Sequence, residues 1–345
     1  MIEKDDNVKK RAEYLDIAKG IGILLVVWAH AKGPFSAYIY QFHMPLFFLI
    51  SGYLFNERNT VKQFIVKKVQ TLYIPFVFWN IIFTIVEQIL QISHFSRKEF
   101  GSTIIKILLT ISKSGSFLGA TWFLGSLFVV SVVYKIVDRY LPQTREKSLI
   151  LLLMSTVISY IGFSVTFPYM ISRTMVLTVF FAVGRVVRDY REKLTLYETF
   201  VMTLFSIAVF VLIGKYNSAN MGANEYRYRL LFVIGALAAS YIVIEISKYI
   251  EIHLKYLKKI FCFWGRKSMP IVIWQFVVFR VVIALQLALD GISLRHILDY
   301  YPCYRTENGW WIIYILVGMY MSILIGEITG FVKNCIIKVI NIVRH

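Results

Sequence analysis

The stretch Tyr14-Leu15-Asp16-Ile17-Ala18-Lys19-Gly20-Ile21-Gly22-Ile23-Leu24-Leu25-Val26-Val27-Trp28-Ala29-His30 decides the fold. It is apolar for about 17 residues, the length that crosses roughly 30 Å of hydrocarbon. Three polar groups interrupt it: Asp16, Lys19 and His30. At about 100° per residue, Lys19 and His30 point within about 20° of one another, some 16 Å apart along the axis. Asp16 lies about 60° to the other side of Lys19 and joins the same stripe. Ionisable groups at membrane depth are expensive and mark function by default. The plain alternatives are an interfacial histidine at one end and a lysine snorkelling to the headgroups at the other.

Working outward, the same kind of block recurs. Ten blocks are expected to span, at 15–31, 39–55, 72–92, 121–137, 149–168, 170–187, 199–214, 228–247, 268–289 and 309–330. The chain has 345 residues, 58% of them hydrophobic and 17% charged, against about 25% charged in a soluble globular chain. The expectation is an all-α integral membrane protein whose 345 residues form one membrane domain with no extra extracytoplasmic domain. With both termini cytoplasmic, 24 Lys and Arg fall in inner segments and 11 in outer ones, as the positive-inside rule requires. That distribution, rather than a basic face, accounts for the net charge of +18 and argues against nucleic acid as a partner. No cleavable signal peptide is expected. The outer loop 93–120 contains an apolar stretch, Ile104 to Ile111, suited to the interface, and the basic segment 248–261 suits the inner interface. Cys262, Cys303 and Cys335 match no metal or disulfide spacing, so no metal is expected; Cys303 reads as a thiol on a loop.

The second block opens Gln41-Phe42-His43-Met44-Pro45-Leu46-Phe47-Phe48-Leu49-Ile50-Ser51-Gly52. Pro45 fits the first turn of a helix, and Ser51-Gly52 reads as a close helix contact. His43 falls near the same membrane face as His30, across a short loop. Imidazole suits a general base because it titrates near neutrality. Glu87, Lys135, Glu245, Arg280 and Glu327 also lie within apolar blocks, and Arg280 calls for a partner that spacing does not name.

The string Tyr14 to Gly20, then His30, then Phe42 to Phe55 resembles the opening of the acyltransferase family 3 membrane proteins. The likeness is greatest to the branch of fucose 4-O-acetylase-like and enterobacterial-common-antigen acetyltransferases. The family's basic residue ten positions before a histidine is Lys19 here, where many members have Arg; the charge is kept and the planar fork is lost. Thr121-Trp122-Phe123-Leu124 resembles the family's Trp-Phe-Leu segment, and Arg173 with Phe180-Phe181-Ala182-Val183-Gly184 another recurring stretch. Arg185-Val186-Val187-Arg188 matches an Arg-x-x-Arg pattern that the family links to the acyl donor; an inner-face charge anchor is the alternative. Gly265-Arg266-Lys267-Ser268 leading to Gln275 resembles a segment in which many relatives have His at the last position.

The resemblance implies an O-acetyltransferase of a bacterial inner membrane that moves acetyl from cytoplasmic acetyl-CoA to a hydroxyl of a cell-surface or lipid-linked glycan. His30 and His43 would be the catalytic pair, and Lys19, Arg185 and Arg188 the donor-phosphate ligands. Asp16, Arg173, Trp122 and Gln275 would bind the acceptor or stabilise charge. Acetyl-CoA is the only co-substrate, and membrane lipids and the glycan are the partners. The rival reading is a transporter or lipid-linked glycan carrier using the same polar stripe. The two halves of the chain lack the matched hydropathy that many transporters show.

Overall fold

The computed structural model describes residues 12–89, 97–110, 117–194 and 200–343, with side chains described up to Gly330 except at 97–98. The basic N-terminal residues up to Arg11, the end of the third expected block at 90–92, Ile111, Lys113, residues 195–198 and the Cys335 side chain lie outside this description.

The chain is almost wholly helical. In order the helices are α1 Glu13–His30, α2 Ser36–Tyr40, α3 His43–Tyr53, α4 Val61–Lys68, α5 Ile74–Ile89, α6 Arg97–Thr110, α7 Trp122–Tyr140, α8 Lys147–Ser164, α9 Ile171–Asp189, α10 Arg191–Leu194, α11 Phe200–Tyr216, α12 Arg229–His253, α13 Lys255–Arg266, α14 Ser268–Leu289 and α15 Trp310–Val343. A two-stranded hairpin, β1 Ala219–Asn220 with β2 Glu225–Tyr226, joins α11 to α12; Ala219 pairs with Tyr226 and Asn220 with Glu225.

Helices stand on all ten expected blocks, with three departures. Block two is split: α2 ends before Phe42, and α3 restarts at His43 with Pro45 in its first turn, where a missing N–H costs nothing. The third helix begins eleven residues early, because α4 and α5 form one rod, Val61–Ile89, through a π-helical turn at Val69–Tyr73. Thr60 caps that rod with a complete capping box to Gln63, and α4 presents Lys62, Lys67 and Lys68 on an amphipathic surface that hydropathy alone reads as loop. The segment after α12 is a separate helix, α13, packed against α1.

Among the described residues five helices are long and apolar enough to cross a membrane: Val61–Ile89, Lys147–Ser164, Arg229–His253, Ser268–Leu289 and Trp310–Gly330. Helices α1, α7 and α9 have similar lengths, 18, 19 and 19 residues, but each carries at least three charged side chains. Most of those charges are met by other protein groups inside the bundle, as those of Asp16, Lys135 and Arg185 are. Leu153, Val201 and Ile252 are among the many large apolar side chains that face outward, the mark of a surface solvated by lipid rather than water.

Glycines set two close crossings. A Cβ on Gly52 of α3 would strike the Phe181 carbonyl of α9, and one on Gly184 of α9 would strike the Leu49 carbonyl of α3. Likewise Gly20 of α1 lies on the Phe261 backbone and Gly265 of α13 on the Asp16 backbone. Backbones this close gain the dispersion contact that drives helix association in lipid. Charges within the apolar blocks also find partners. Arg280 donates to the carbonyls of Ile297 (2.6 Å) and Tyr300. Lys135 donates to the carbonyls of Asn56 and Glu57. Glu245 pairs with Lys248 and Glu327 with Lys267.

Candidate active site

A cavity of about 560 Å³ opens at the His30 end of α1. Its walls include His30, Tyr40, His43, Trp122, Arg173, Phe276 and Tyr301, with residues of the 218–223 hairpin turn across the mouth. The hairpin is held there by buried amides. Gln41 Nε2 donates to the Asn217 carbonyl (3.2 Å), Asn217 Nδ2 donates to Gln41 Oε1 (3.4 Å), and Asn217 Oδ1 accepts from the Tyr228 N–H (2.9 Å). Four of the residues singled out by sequence, His30, His43, Trp122 and Arg173, therefore meet in one wall, and Gln275 stands directly behind His30.

Both imidazoles have a defined tautomer. Gln275 is fully buried, and its Nε2 donates to the Val272 carbonyl at 3.4 Å, which turns Oε1 towards His30. That oxygen can only accept, so His30 Nδ1, at 3.0 Å, bears the proton and the lone pair rests on Nε2. His43 is fixed in the same way: its Nδ1 donates to the Ile39 carbonyl at 2.8 Å, a helix-end acceptor that the break between α2 and α3 supplies. The two rings lie 6.4 Å apart and almost perpendicular, at 84°. Phe276 packs on His30 at 4.8 Å and Tyr40 on His43 at 5.5 Å. This is the chemistry of a positioned base: one nitrogen held by the protein, the other carrying a lone pair at a cavity.

The loop 290–309 closes over this wall. Cys303 is a free thiol on this loop, as read from the sequence; it is buried, 4% exposed, and its Sγ donates to the His30 carbonyl at 3.5 Å. Burial pushes its thiol up to about 12, so at neutral pH it is not the thiolate that nucleophilic chemistry needs. Tyr301 is pushed to about 12 by burial as well and keeps a proton to donate. Tyr40, Tyr301 and Phe276 went unnoticed in the sequence. Only Tyr40, three residues before His43, had a spacing that could have signalled it.

The other site residues lie at the far end of α1 and α9. Asp16 is about 21 Å from His30 along the helix and takes no part in the cavity. It is buried and bound by Lys19 (3.4 Å) and Arg266 (3.2 Å), tying α1 to α13. Arg185 and Arg188 do come together, but over carboxylates. Arg185 meets Glu57 at 2.6 Å and Asp189 at 2.7 Å; Arg188 meets Glu57 at 2.5 Å and Asp189 at 3.0 Å. With Lys135 they clamp the Phe55–Glu57 turn. The basic surface continues to Lys68, which shares the Phe64 ring with Lys135 (5.4 and 5.7 Å) and lies near enough to Lys19 for their charges to repel. Lys68 also escaped notice, hidden in a stretch read as loop. Among the described residues no group of His, Cys, Asp and Glu could hold a metal ion.

Comparison with known proteins agrees with the helical, multi-pass membrane architecture. The nodulation protein NolL of Mesorhizobium japonicum is 28% identical over an alignment covering 36% of this chain and 35% of that protein. The chain thus spans about a third of the length of that relative. No solved structure matches the chain. The acyltransferase domain family matches residues 12–334, nearly the whole sequence, and the chain therefore belongs to acyltransferase family 3.

Proposed function

We propose that this acyltransferase moves an acetyl group from cytoplasmic acetyl-CoA to a hydroxyl of a cell-surface or lipid-linked glycan, in the inner membrane of a bacterium, with ten helices spanning and both termini inside. His30 Nε2 removes the acceptor hydroxyl proton as the oxygen attacks the thioester carbonyl. Collapse of the tetrahedral intermediate breaks the C–S bond and releases coenzyme A. His43, its own Nδ1 held by Ile39, orients the acceptor hydroxyl or accepts from it. Trp122 and Arg173 line the acceptor side. The donor's phosphates rest against Lys19 and Lys68 about 16 Å down α1 from His30, a separation that the long arm of coenzyme A suits. Arg185 and Arg188 reach a phosphate only where it replaces the Glu57 carboxylate.

The observation that carries this reading is the Gln275–His30 hydrogen bond, which sets the tautomer a base requires in a cavity large enough for a sugar. The competing carrier reading needs the polar stripe as a path and no chemistry at all. Purified protein in liposomes containing acetyl-CoA distinguishes them. Thioester consumption that depends on His30 supports acyl transfer; an intact acetyl-CoA pool alongside glycan movement would assign the protein to the carriers.

A further inference from the structure

Within the cavity wall, Arg173 differs from Arg185, Arg188 and Arg280, the other arginines turned into the bundle. Arg185 and Arg188 are met by carboxylates, and Arg280 by two carbonyl oxygens. Arg173 has no hydrogen bond or ion pair among the described residues; its guanidinium lies over the Trp122 ring, 5.2 Å from the centroid. The titratable group that interacts with its charge is Tyr226 of β2. Burial pushes that phenol well above its ordinary value, so it stays neutral and offers no counter-charge. Among the described residues no Asp or Glu lines the cavity. A guanidinium at an apolar wall with no counter-charge favours an anionic ligand. A planar fork stacked on an aromatic ring is also the geometry that takes a carboxylate or phosphate by two parallel hydrogen bonds.

We propose that Arg173 is a specificity-determining residue that binds an oxyanion, a carboxylate or a phosphate, carried by the acceptor. The acceptor is thus an acidic glycan or a phosphate-linked sugar rather than a neutral one. This rests on the acyl-transfer reading for the word acceptor, but the anion site stands on its own geometry. Arg173 sets the charge selectivity of the cavity, and the imidazoles act on a neighbouring hydroxyl.

The test is equilibrium binding to the full-length protein in nanodiscs, without acetyl-CoA, using methyl β-glucuronide, glucose-1-phosphate and neutral methyl β-glucoside. The wild type should bind at least one anionic probe about 10- to 100-fold tighter than the neutral one, the range of a charge-assisted hydrogen bond. The uronide and the phosphate separate the two sources of the anion. Arg173→Gln should erase the preference, and Arg173→Lys should keep part of it, which separates lost charge from lost fold. Equal binding of charged and neutral probes by the wild type, or a preference that survives in Arg173→Gln, overturns the proposal. So does a loss of turnover in Arg173→Gln that is the same for charged and neutral acceptors, which would assign the guanidinium to the tetrahedral oxyanion. A wild type that prefers the anion yet never consumes acetyl-CoA would sink the acyl-transfer reading and leave this site standing.

Discussion

Replacing Gln275 by Met keeps the length and apolar fit of a fully buried side chain and removes the oxygen that accepts from His30 Nδ1 at 3.0 Å. The Nδ1–H is left without that acceptor, and the ring loses the contact that selects its tautomer. An orphaned buried donor costs about 1–3 kcal/mol. If that cost falls on the reactive arrangement of His30, acetyl transfer slows by about 5- to 150-fold. The loss should appear in kcat, because the phosphate-binding cations lie about 16 Å away along α1 and donor affinity is untouched. Gln275→Glu keeps an accepting oxygen in place and should recover more of the rate than Met, which a purely space-filling role would not predict. The assay is initial-rate acetyl transfer with a coenzyme A binding titration on the same preparation. A folded Gln275→Met protein with unaltered kcat, or one whose only change is weaker donor binding, would refute the reasoning.

Two further outcomes are expected. Gly265→Val drives a branched side chain into the Asp16 backbone of α1 and should cost about 1–3 kcal/mol of stability, read as a lower melting temperature in detergent; an unchanged transition would mean that α1 and α13 do not cross as described. Lys68→Ala should weaken coenzyme A binding at unchanged melting temperature, whereas Arg185→Ala should chiefly lower the melting temperature by leaving Glu57 and Asp189 short of a partner; the reverse pattern would make the Glu57 clamp the donor site.

Much of the architecture was legible because the bilayer forces long apolar runs, and the helices of α8, α12, α14 and α15 announce themselves that way. The first half of the Val61–Ile89 rod did not, since Lys62, Lys67 and Lys68 dilute its hydropathy and its helix signal lay instead in the Thr60–Gln63 capping box. The polar stripe of α1 was readable as three residues on one face. Its division into two roles was not: Asp16 is consumed by Lys19 and Arg266, and the latter comes from a helix 250 positions on. Arg185-x-x-Arg188 gave its charge and spacing but not Glu57, which meets both side chains from the turn after α3. Arg280 found its partners in carbonyls of a loop, a kind of partner that side-chain spacing never reveals. The tautomer of His30 likewise depends on Gln275, 245 residues away, and only the packing of α14 beside α1 makes that contact.

The central claim is that His30 takes the proton. Its most direct test is the single-turnover rate of acetyl transfer by a correctly inserted His30→Gln protein preloaded with acetyl-CoA. Glutamine preserves hydrogen bonding and approximate size but takes no proton at neutral pH, so a base at His30 predicts a loss of about 10²- to 10⁴-fold, close to that of His30→Ala, with donor binding intact. Transfer at near the wild-type rate would contradict the account and move the role of base to His43.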